Sequence, residues 1–161
     1  MERWKANPHD PRGNVEYGNL LKEEFVSFVG DRSGAVFIDR IGITNPDPNY
    51  SVYRKKNNMI VIEYVISGKG YLNVDGKEMT VCAGDAYVVA PDVECRYWAD
   101  KKEPFKKIWV NVFSDMLTAV LHKLTLDKQS VYKNASPEIE RILQDMLKRA
   151  DTEKNMPQIH L

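Results

Sequence analysis

Short hydrophobic runs separated by turn residues fill the chain between about residues 24 and 113. The runs are of strand length and rich in β-branched and aromatic residues, and they comprise residues 25–29, 35–38, 60–66, 71–74, 79–82, 87–90, 95–98 and 108–113. Turn signals separate them, among them Asp75-Gly76, a pair typical of tight hairpins because glycine tolerates a positive φ. This spacing of strands predicts an all-β sandwich or barrel.

The hydrophobic period changes from 2 to 3.6 after Phe113. Ser114 or Asp115 is placed to cap a first helix, whose apolar face consists of Met116, Leu117, Val120, Leu121 and Leu124. Ser136 is placed to cap a second helix, with Pro137 at its first position and with an apolar face of Ile139, Ile142, Leu143, Met146 and Leu147. The pattern therefore predicts two amphipathic helices, 114–126 and 136–149, after the β-rich part.

These patterns divide the chain into three parts. Residues 1–20 are polar and contain proline and glycine, which predicts an irregular N-terminal arm. Residues 21–113 form the predicted barrel, and residues 114–161 hold the predicted helices. A new apolar segment begins at Met156 just before the chain ends, so we expect the chain to be a piece of a longer protein.

Charge and composition reduce the number of function classes that the chain fits. The 161 residues include 23 Lys and Arg and 23 Asp and Glu, and this zero net charge argues against nucleic-acid binding by this segment. The N-terminus lacks the apolar stretch of a secretory signal, and we expect no membrane span. Cys82 and Cys95 form no metal-binding or redox motif, so we expect small buried apolar groups in a reduced, cytoplasmic protein.

Five segments between Tyr50 and Phe113 carry a more specific pattern, at residues 62–70, 74–77, 83–91, 97–99 and 108–113. Their glycines, Asp-Gly turn and Gly-Asp followed by Pro91 are common to most cupins. The Tyr-Trp-Ala segment and the later Ile-Trp-Val-Asn-Val-Phe are more specific. Together the five segments resemble the cupin sensor domain of AraC-family transcription regulators. The two predicted helices extend this resemblance loosely.

The resemblance implies a mainly β protein with a cupin-type barrel, that is, a jelly roll or double-stranded β-helix, followed by two α-helices. It implies that the barrel binds a small effector, often a sugar, and that the helices 114–126 and 136–149 form a homodimer. It also implies a DNA-binding pair of helix-turn-helix modules, which would lie beyond Leu161. An arm over residues 7–17 would cover the effector in such a sensor, with Trp4 or Tyr17 as its lid.

Many cupins are metalloenzymes, and the expected ligands are replaced here. Val61 stands at the glutamate position, Cys95 at the downstream histidine position, and residues 55–58 where a histidine pair would lie. The three histidines, at 9, 122 and 160, lie outside the barrel strands. We therefore expect no metal, no cofactor and no catalytic residues, and we interpret the chain as a non-enzyme.

Several residues match the family's sugar-contacting positions. Arg54, on the strand before the long apolar run, matches the pocket arginine, Tyr97 an aromatic pocket residue and Trp109 the residue that stacks on the sugar. Lys107 and Cys95 occupy positions where histidine is usual, which leaves a different or charged effector open. The alternatives are packing for Tyr97 and Trp109, and a solvated surface for Arg54 and Lys107.

Glu63 is the polar member of the longest apolar run. Strand alternation places it on one face with Val61 and Val65, and that face is expected to point into the barrel. A carboxylate inside a barrel requires a partner, and Arg54, Lys107 or a ligand is able to provide it. The alternative functions left open are a metal-free cupin enzyme of the sugar isomerase or epimerase type and a stand-alone sugar-binding cupin.

Overall fold

The computed structural model describes residues 15–17, 22–28, 35–126 and 130–154. Its strands are β1 (Val15–Tyr17), β2 (Glu23–Ser27), β3 (Phe37–Thr44), β4 (Ser51–Arg54), β5 (Ile60–Ser67), β6 (Lys69–Val74), β7 (Lys77–Cys82), β8 (Ala86–Val89), β9 (Cys95–Ala99), β10 (Lys106–Phe113) and β11 (Val131–Tyr132). Helix α1 (Asp115–Lys123) lies between β10 and β11, and helix α2 (Pro137–Lys154) follows β11. The predicted mainly β class is confirmed.

Two antiparallel sheets form the barrel. Sheet A has the strand order β1-β4-β9-β6-β7, and sheet B has the order β11-β8-β5-β10-β3-β2. Strands β3 to β10 thus divide into two sets of four in which sequence neighbours lie mostly in opposite sheets, which is the arrangement of a jelly roll. The cupin-type barrel followed by two helices is therefore the observed architecture.

The hydrophobic residues form two layers that sheet B separates. One cluster fills the space between the sheets and includes Val61, Val65 and Leu72. The other lies on the outside of sheet B and includes Ile108, Val110 and Leu143. Because side chains alternate along a strand, β5 and β10 contribute to both layers.

The hairpin between β6 and β7 turns at Asp75-Gly76, as predicted. Both residues have positive φ, 47° and 85°, which matches the twist of the two strands. Gly68 has a φ of 71°, and a Cβ atom there would lie 2.5 Å from the carbonyl oxygen of Pro104. The loop before β10 therefore packs against Gly68 at backbone distance.

Helix α2 covers the outside of sheet B. Leu143 and Ala150 are buried there, and Ile139, Met146 and Leu147 pack against the same cluster. The helix extends to Lys154, beyond the predicted end at residue 149. Its apolar face packs on the chain's own barrel, and Ile142 is left outside that contact.

Helix α1 begins as predicted and ends early. The Ser114 hydroxyl oxygen accepts a hydrogen bond from the Leu117 amide at 3.1 Å, which is an N-cap. The helix ends at Lys123 rather than 126, and Thr125 has a φ of 56°. Leu117 and Leu121 pack on the outer cluster, whereas Met116, Val120 and Leu124 are exposed.

Three further differences concern the β-rich part. Val15–Tyr17, predicted as irregular, is a strand that pairs with β4, which its alternating apolar residues permit. Strand β3 continues to Thr44, and the short β11 was missed because two residues carry no period. Trp4, the Tyr17 side chain and residues 1–14 lie outside the described part of the chain, so the lid stays a prediction.

Candidate functional site

The interior of the barrel holds a polar and aromatic group of side chains that we call the cup. It consists of Tyr50, Arg54, Glu63, Tyr87, Cys95, Tyr97, Phe105 and Lys107. Residues from both sheets meet there because β4 and β9 of sheet A face β5, β8 and β10 of sheet B. Each of these side chains is buried, and Lys107 has no exposed surface.

Lys107 faces the interior of the barrel, directly after a β-bulge. Lys106 pairs with Ser67, but Lys107 pairs with Val65, so the register skips Ile66. Val65 faces the interior, and a residue directly opposite it shares that face. The interior position of Lys107 is thus established, and its alternative as a solvated charge is wrong.

Glu63 and Lys107 form a buried ion pair. The Lys107 ammonium contacts Glu63 Oε2, and the Tyr87 hydroxyl donates to the same oxygen. Lys107 Nζ also lies 3.1 Å from the Tyr87 hydroxyl oxygen. Of the partners that the sequence left open for Glu63, Lys107 is the observed one, and Tyr87 is a second that the sequence did not indicate.

Four aromatic rings surround the Lys107 ammonium. Its nitrogen lies 4.4 Å from the ring centroid of Tyr97, 4.8 Å from that of Tyr50, 5.0 Å from that of Phe105 and 5.8 Å from that of Tyr87. The negative faces of aromatic rings attract a cation at such distances. The rings and the Glu63 carboxylate together offset the loss of water around this charge.

Arg54 reaches the cup from sheet A. It is 5% exposed, while the next residues, Lys55 and Lys56, are exposed, so the surface alternative for Arg54 is wrong. Its guanidinium donates to the Tyr97 hydroxyl, and its strand partner is Cys95. Tyr97 therefore lies between the two cations of the cup, bonded to Arg54 and stacked beneath Lys107.

Burial controls the protonation of the cup. It raises the pKa of the Tyr50, Tyr87 and Tyr97 hydroxyls well above 10, so these groups are neutral hydrogen-bond donors. Burial also lowers the pKa of Lys107, against which the Glu63 charge acts. Burial raises the pKa of the Cys95 thiol, which keeps it protonated, as expected for a small buried group.

Trp109 lies beside the cup rather than within it. Its indole N–H donates to Thr44 Oγ1 at 3.1 Å, and the Thr44 hydroxyl donates to Glu23 Oε1 at 2.9 Å. Its ring packs at 6.0 Å from the ring of Phe25, at an interplanar angle of 44°. In the strand register Trp109 is directly opposite Glu63, so it extends the inner face of sheet B toward β2.

The structure thus brings Arg54, Tyr97, Cys95, Glu63 and Lys107 together and places Trp109 next to them. Sequence reasoning missed Tyr50, Tyr87 and Phe105. Tyr50 shares a period of two with Val52 and Arg54, and Tyr87 shares one with Val89. Strand alternation therefore could have predicted that both tyrosines face the interior of the barrel. Phe105 precedes β10 in a loop, where no period exists.

The described residues do not form a metal site. They contain no group of three or more His, Cys, Asp or Glu placed to hold an ion. Val61 belongs to the apolar core, and Cys95 lies opposite a guanidinium, which repels a metal cation.

Cys82, expected to be buried, is exposed at the end of β7. No helix in the described residues is long and apolar enough to span a bilayer.

Comparison with known proteins gives a family match and more distant structural likenesses. Residues 37–158 match the family model described as AraC-like ligand binding domain. The Msm operon regulatory protein of Streptococcus mutans is 26% identical over 92 residues, an alignment that spans 57% of this chain and 33% of that protein. The chain thus spans about a third of this relative's length.

Among solved structures, YhaK from Escherichia coli is 15% identical with a TM-score of 0.48, over 59% of this chain and 46% of that one. The Cnp3 cupin domain from Schizosaccharomyces pombe is 11% identical with a TM-score of 0.46, over 70% of this chain and 77% of that one.

Proposed function

Because the chain belongs to the AraC-like ligand binding domain family, we propose that it is the effector-sensing domain of a bacterial transcription regulator. The printed name of the Streptococcus mutans relative, an operon regulatory protein, supports this assignment. In the proposal the cup recognises a small polar molecule in the cytoplasm, and a DNA-binding half attached to this domain reads the operator. The observation that carries it is the set of fixed donors, acceptors and rings inside the barrel.

The chemistry of the cup supports a carbohydrate as effector. A sugar presents hydroxyl groups around a ring whose C–H faces are apolar, so its site needs polar heads together with aromatic walls. Arg54, Lys107 and the tyrosine hydroxyls supply donors, and Glu63 supplies an acceptor. The ring faces of Tyr50, Tyr97 and Phe105 supply the walls. The cup side chains are buried, so we expect an effector to enter by moving some of them aside.

A metal-free sugar isomerase or epimerase is the second candidate, and one observation disfavours it. Such an enzyme requires a free general base next to its substrate. Glu63 is the carboxylate paired with Lys107, and one of its oxygens already accepts hydrogen bonds from both Lys107 and Tyr87; the Glu23 carboxylate beside the cup already accepts one from Thr44. A stand-alone sugar-binding cupin has the same cup, and the presence of a DNA-binding half in the complete protein separates it from a regulator.

The experiment that tests the proposal is thermal unfolding of this chain against monosaccharides, disaccharides, sugar acids and divalent metal ions. An effector at about a hundred times its dissociation constant adds about 2.7 kcal/mol to the free energy of unfolding. We expect a shift with one carbohydrate that disappears in Arg54→Lys and Tyr97→Phe. The matched control is Arg96→Lys, on the exposed face of the same strand as Tyr97. A shift with a metal ion and with no sugar contradicts the proposal.

We further propose that the exposed stripe of α1 pairs with a second copy of this chain. Met116, Val120 and Leu124 follow one another at helical spacing with 54%, 44% and 59% exposure, and Ile142 of α2 is 50% exposed. Large apolar side chains in such a stripe favour burial against a partner. Sedimentation velocity tests this: we expect a dimer that Val120→Ser converts to a monomer and that Ala119→Ser leaves intact.

A further inference from the structure

Strand β8 contributes Tyr87 to the cup, and it also pairs with β11 in the segment that connects the two helices. On its inner face, the Tyr87 hydroxyl donates to Glu63. At the edge of sheet B, the backbone of β8 pairs with β11, where Tyr87 is opposite Val131. The Val88 amide donates to the carbonyl oxygen of Ser130 at 2.8 Å. Residues 130–135, which we call the strap, lead directly into α2.

The strap is fastened to the turn before β8 as well. The Asp85 carboxylate, 5% exposed, accepts from Lys133 Nζ at 2.7 Å and from the Asn134 amide at 3.1 Å. The Ala135 amide donates to the carbonyl oxygen of Gly84 at 2.8 Å. These bonds connect the turn before β8 to residues that end two positions before Pro137, where α2 begins.

The same carboxylate also holds its own turn. Asp85 accepts from the Cys82 amide at 2.8 Å, which closes the turn between β7 and β8. Its hydrogen bonds with Lys133 and with the two amides lower its pKa even though burial acts the other way, so the group is ionised at neutral pH. The fastening is therefore a buried charge with several donors, which holds a defined geometry better than apolar contact does.

We propose that β8 and the strap transmit the state of the cup to the N-terminus of α2. A solute oxygen that replaces Tyr87 as the partner of Glu63, or that binds the Tyr87 hydroxyl, removes a side-chain bond between β8 and β5, which leaves only the backbone ladder in which these two residues are paired. The strap then carries the change to the first turns of α2. The proposal rests on the proposed function only for what enters the cup, and its coupling is measurable with no effector.

The coupling is tested by amide hydrogen exchange on the full chain. Tyr87→Phe keeps the ring and removes the hydroxyl, and Tyr71→Phe is the matched control because it removes a hydroxyl bonded to Asp100 outside the barrel. We expect Tyr87→Phe to accelerate exchange about tenfold in residues 130–143, as the loss of a hydrogen bond to a charged group implies. Exchange in β6 and β7 stays within twofold.

Two results overturn the proposal at this stage. One is unchanged exchange in residues 130–143 of Tyr87→Phe. The other is an equal acceleration in every strand, since that reports a lower overall stability rather than a connection between β8 and α2. The melting temperature of each variant, measured alongside, separates a local from a global effect.

A second variant identifies the route. Asp85→Asn weakens the fastening of the strap and is expected by itself to accelerate exchange in the first turns of α2. Adding Tyr87→Phe to it then changes that exchange less than twofold, because the connection is already loosened. A further full tenfold acceleration in the double variant overturns the route through the strap and assigns the coupling to the packing of sheet B on α2.

Discussion

The two faces of sheet B show how one set of strands supports two kinds of stabilisation. On the inner face, Glu63 and Lys107 are held by directional contacts, an ion pair and hydrogen bonds among aromatic rings. On the outer face, their sequence neighbours Tyr64 and Ile108 join an apolar cluster under α2. The backbone ladder is common to both, so the difference lies in the side chains alone.

This difference determines which substitutions each face of sheet B tolerates without a large loss of stability. Inside, a single substitution leaves a buried charge without its partner, whereas a paired substitution restores balance. Outside, the loss is proportional to the volume removed, and apolar side chains of similar size replace one another with small effects. The following predictions test this difference, from the largest expected effect to the smallest.

Lys107→Met is expected to lower the free energy of unfolding by about 4 kcal/mol, because Glu63 stays buried without its cation. Chemical denaturation measures the loss. Lys106→Met, one residue earlier and only partly buried, is the control, with an expected change below about 0.5 kcal/mol. The double variant Lys107→Met/Glu63→Gln is expected to recover most of the stability. A double variant as unstable as the single one refutes the paired-charge explanation.

Leu143→Ala is expected to lower the free energy of unfolding by about 3 kcal/mol, since this α2 side chain is 4% exposed against sheet B and its loss leaves a cavity. Lys148→Ala, exposed on the same helix, is the control and is expected to change it little. The near-ultraviolet circular dichroism of the cup tyrosines is expected to stay unchanged. A changed tyrosine signal would mean that the outer layer also shapes the inner one.

Ser114→Ala is expected to lower the free energy of unfolding by about 1 kcal/mol because it removes the N-cap of α1. Ser114→Asp restores a capping oxygen and most of the stability, as urea denaturation should report. If both variants were equally destabilised, the bond from the Ser114 hydroxyl to the Ala35 carbonyl oxygen, at 2.6 Å, would be the more important contact.

The smallest effect is expected at acidic pH on the outside of sheet A. Hydrogen bonds from the Glu103 amide, the Tyr71 hydroxyl and the Lys102 amide lower the pKa of Asp100 from 3.8 to about 2. A carboxylate with a lowered pKa stabilises the fold above pH 4, and this contribution is lost as the pH falls from about 4 to 2. Melting temperatures of Asp100→Asn should lack this part of the acid decline; an identical decline would contradict it.

Much of the fold was predictable because alternation and turn residues act locally. The runs at 60–66 and 108–113, the Asp75-Gly76 turn and the caps at Ser114 and Ser136 all follow from neighbouring residues. Strand β11 has only two residues, too few for a period to be recognised, and it is stabilised by pairing with the distant strand β8.

The sequence predicted most of the residues that form the cup, but it did not predict which of them contact one another. Alternation placed Glu63 inside, and the family resemblance indicated Arg54, Tyr97 and Lys107. The bulge after Lys106 and the choice of Lys107 over Arg54 as the partner of Glu63 depend on the register between β5 and β10. That register results from packing across the whole barrel, which no local pattern specifies.

The burial of Lys107 also makes it a natural reporter group. Amine-reactive acylating reagents modify lysines that water reaches, such as Lys55 and Lys101, and the absence of exposed surface on Lys107 shields it while the barrel stays closed. The rate at which its amine becomes labelled, read by peptide mass spectrometry, therefore measures how often the barrel opens. Access to the cup can therefore be measured at a native side chain, without a substitution.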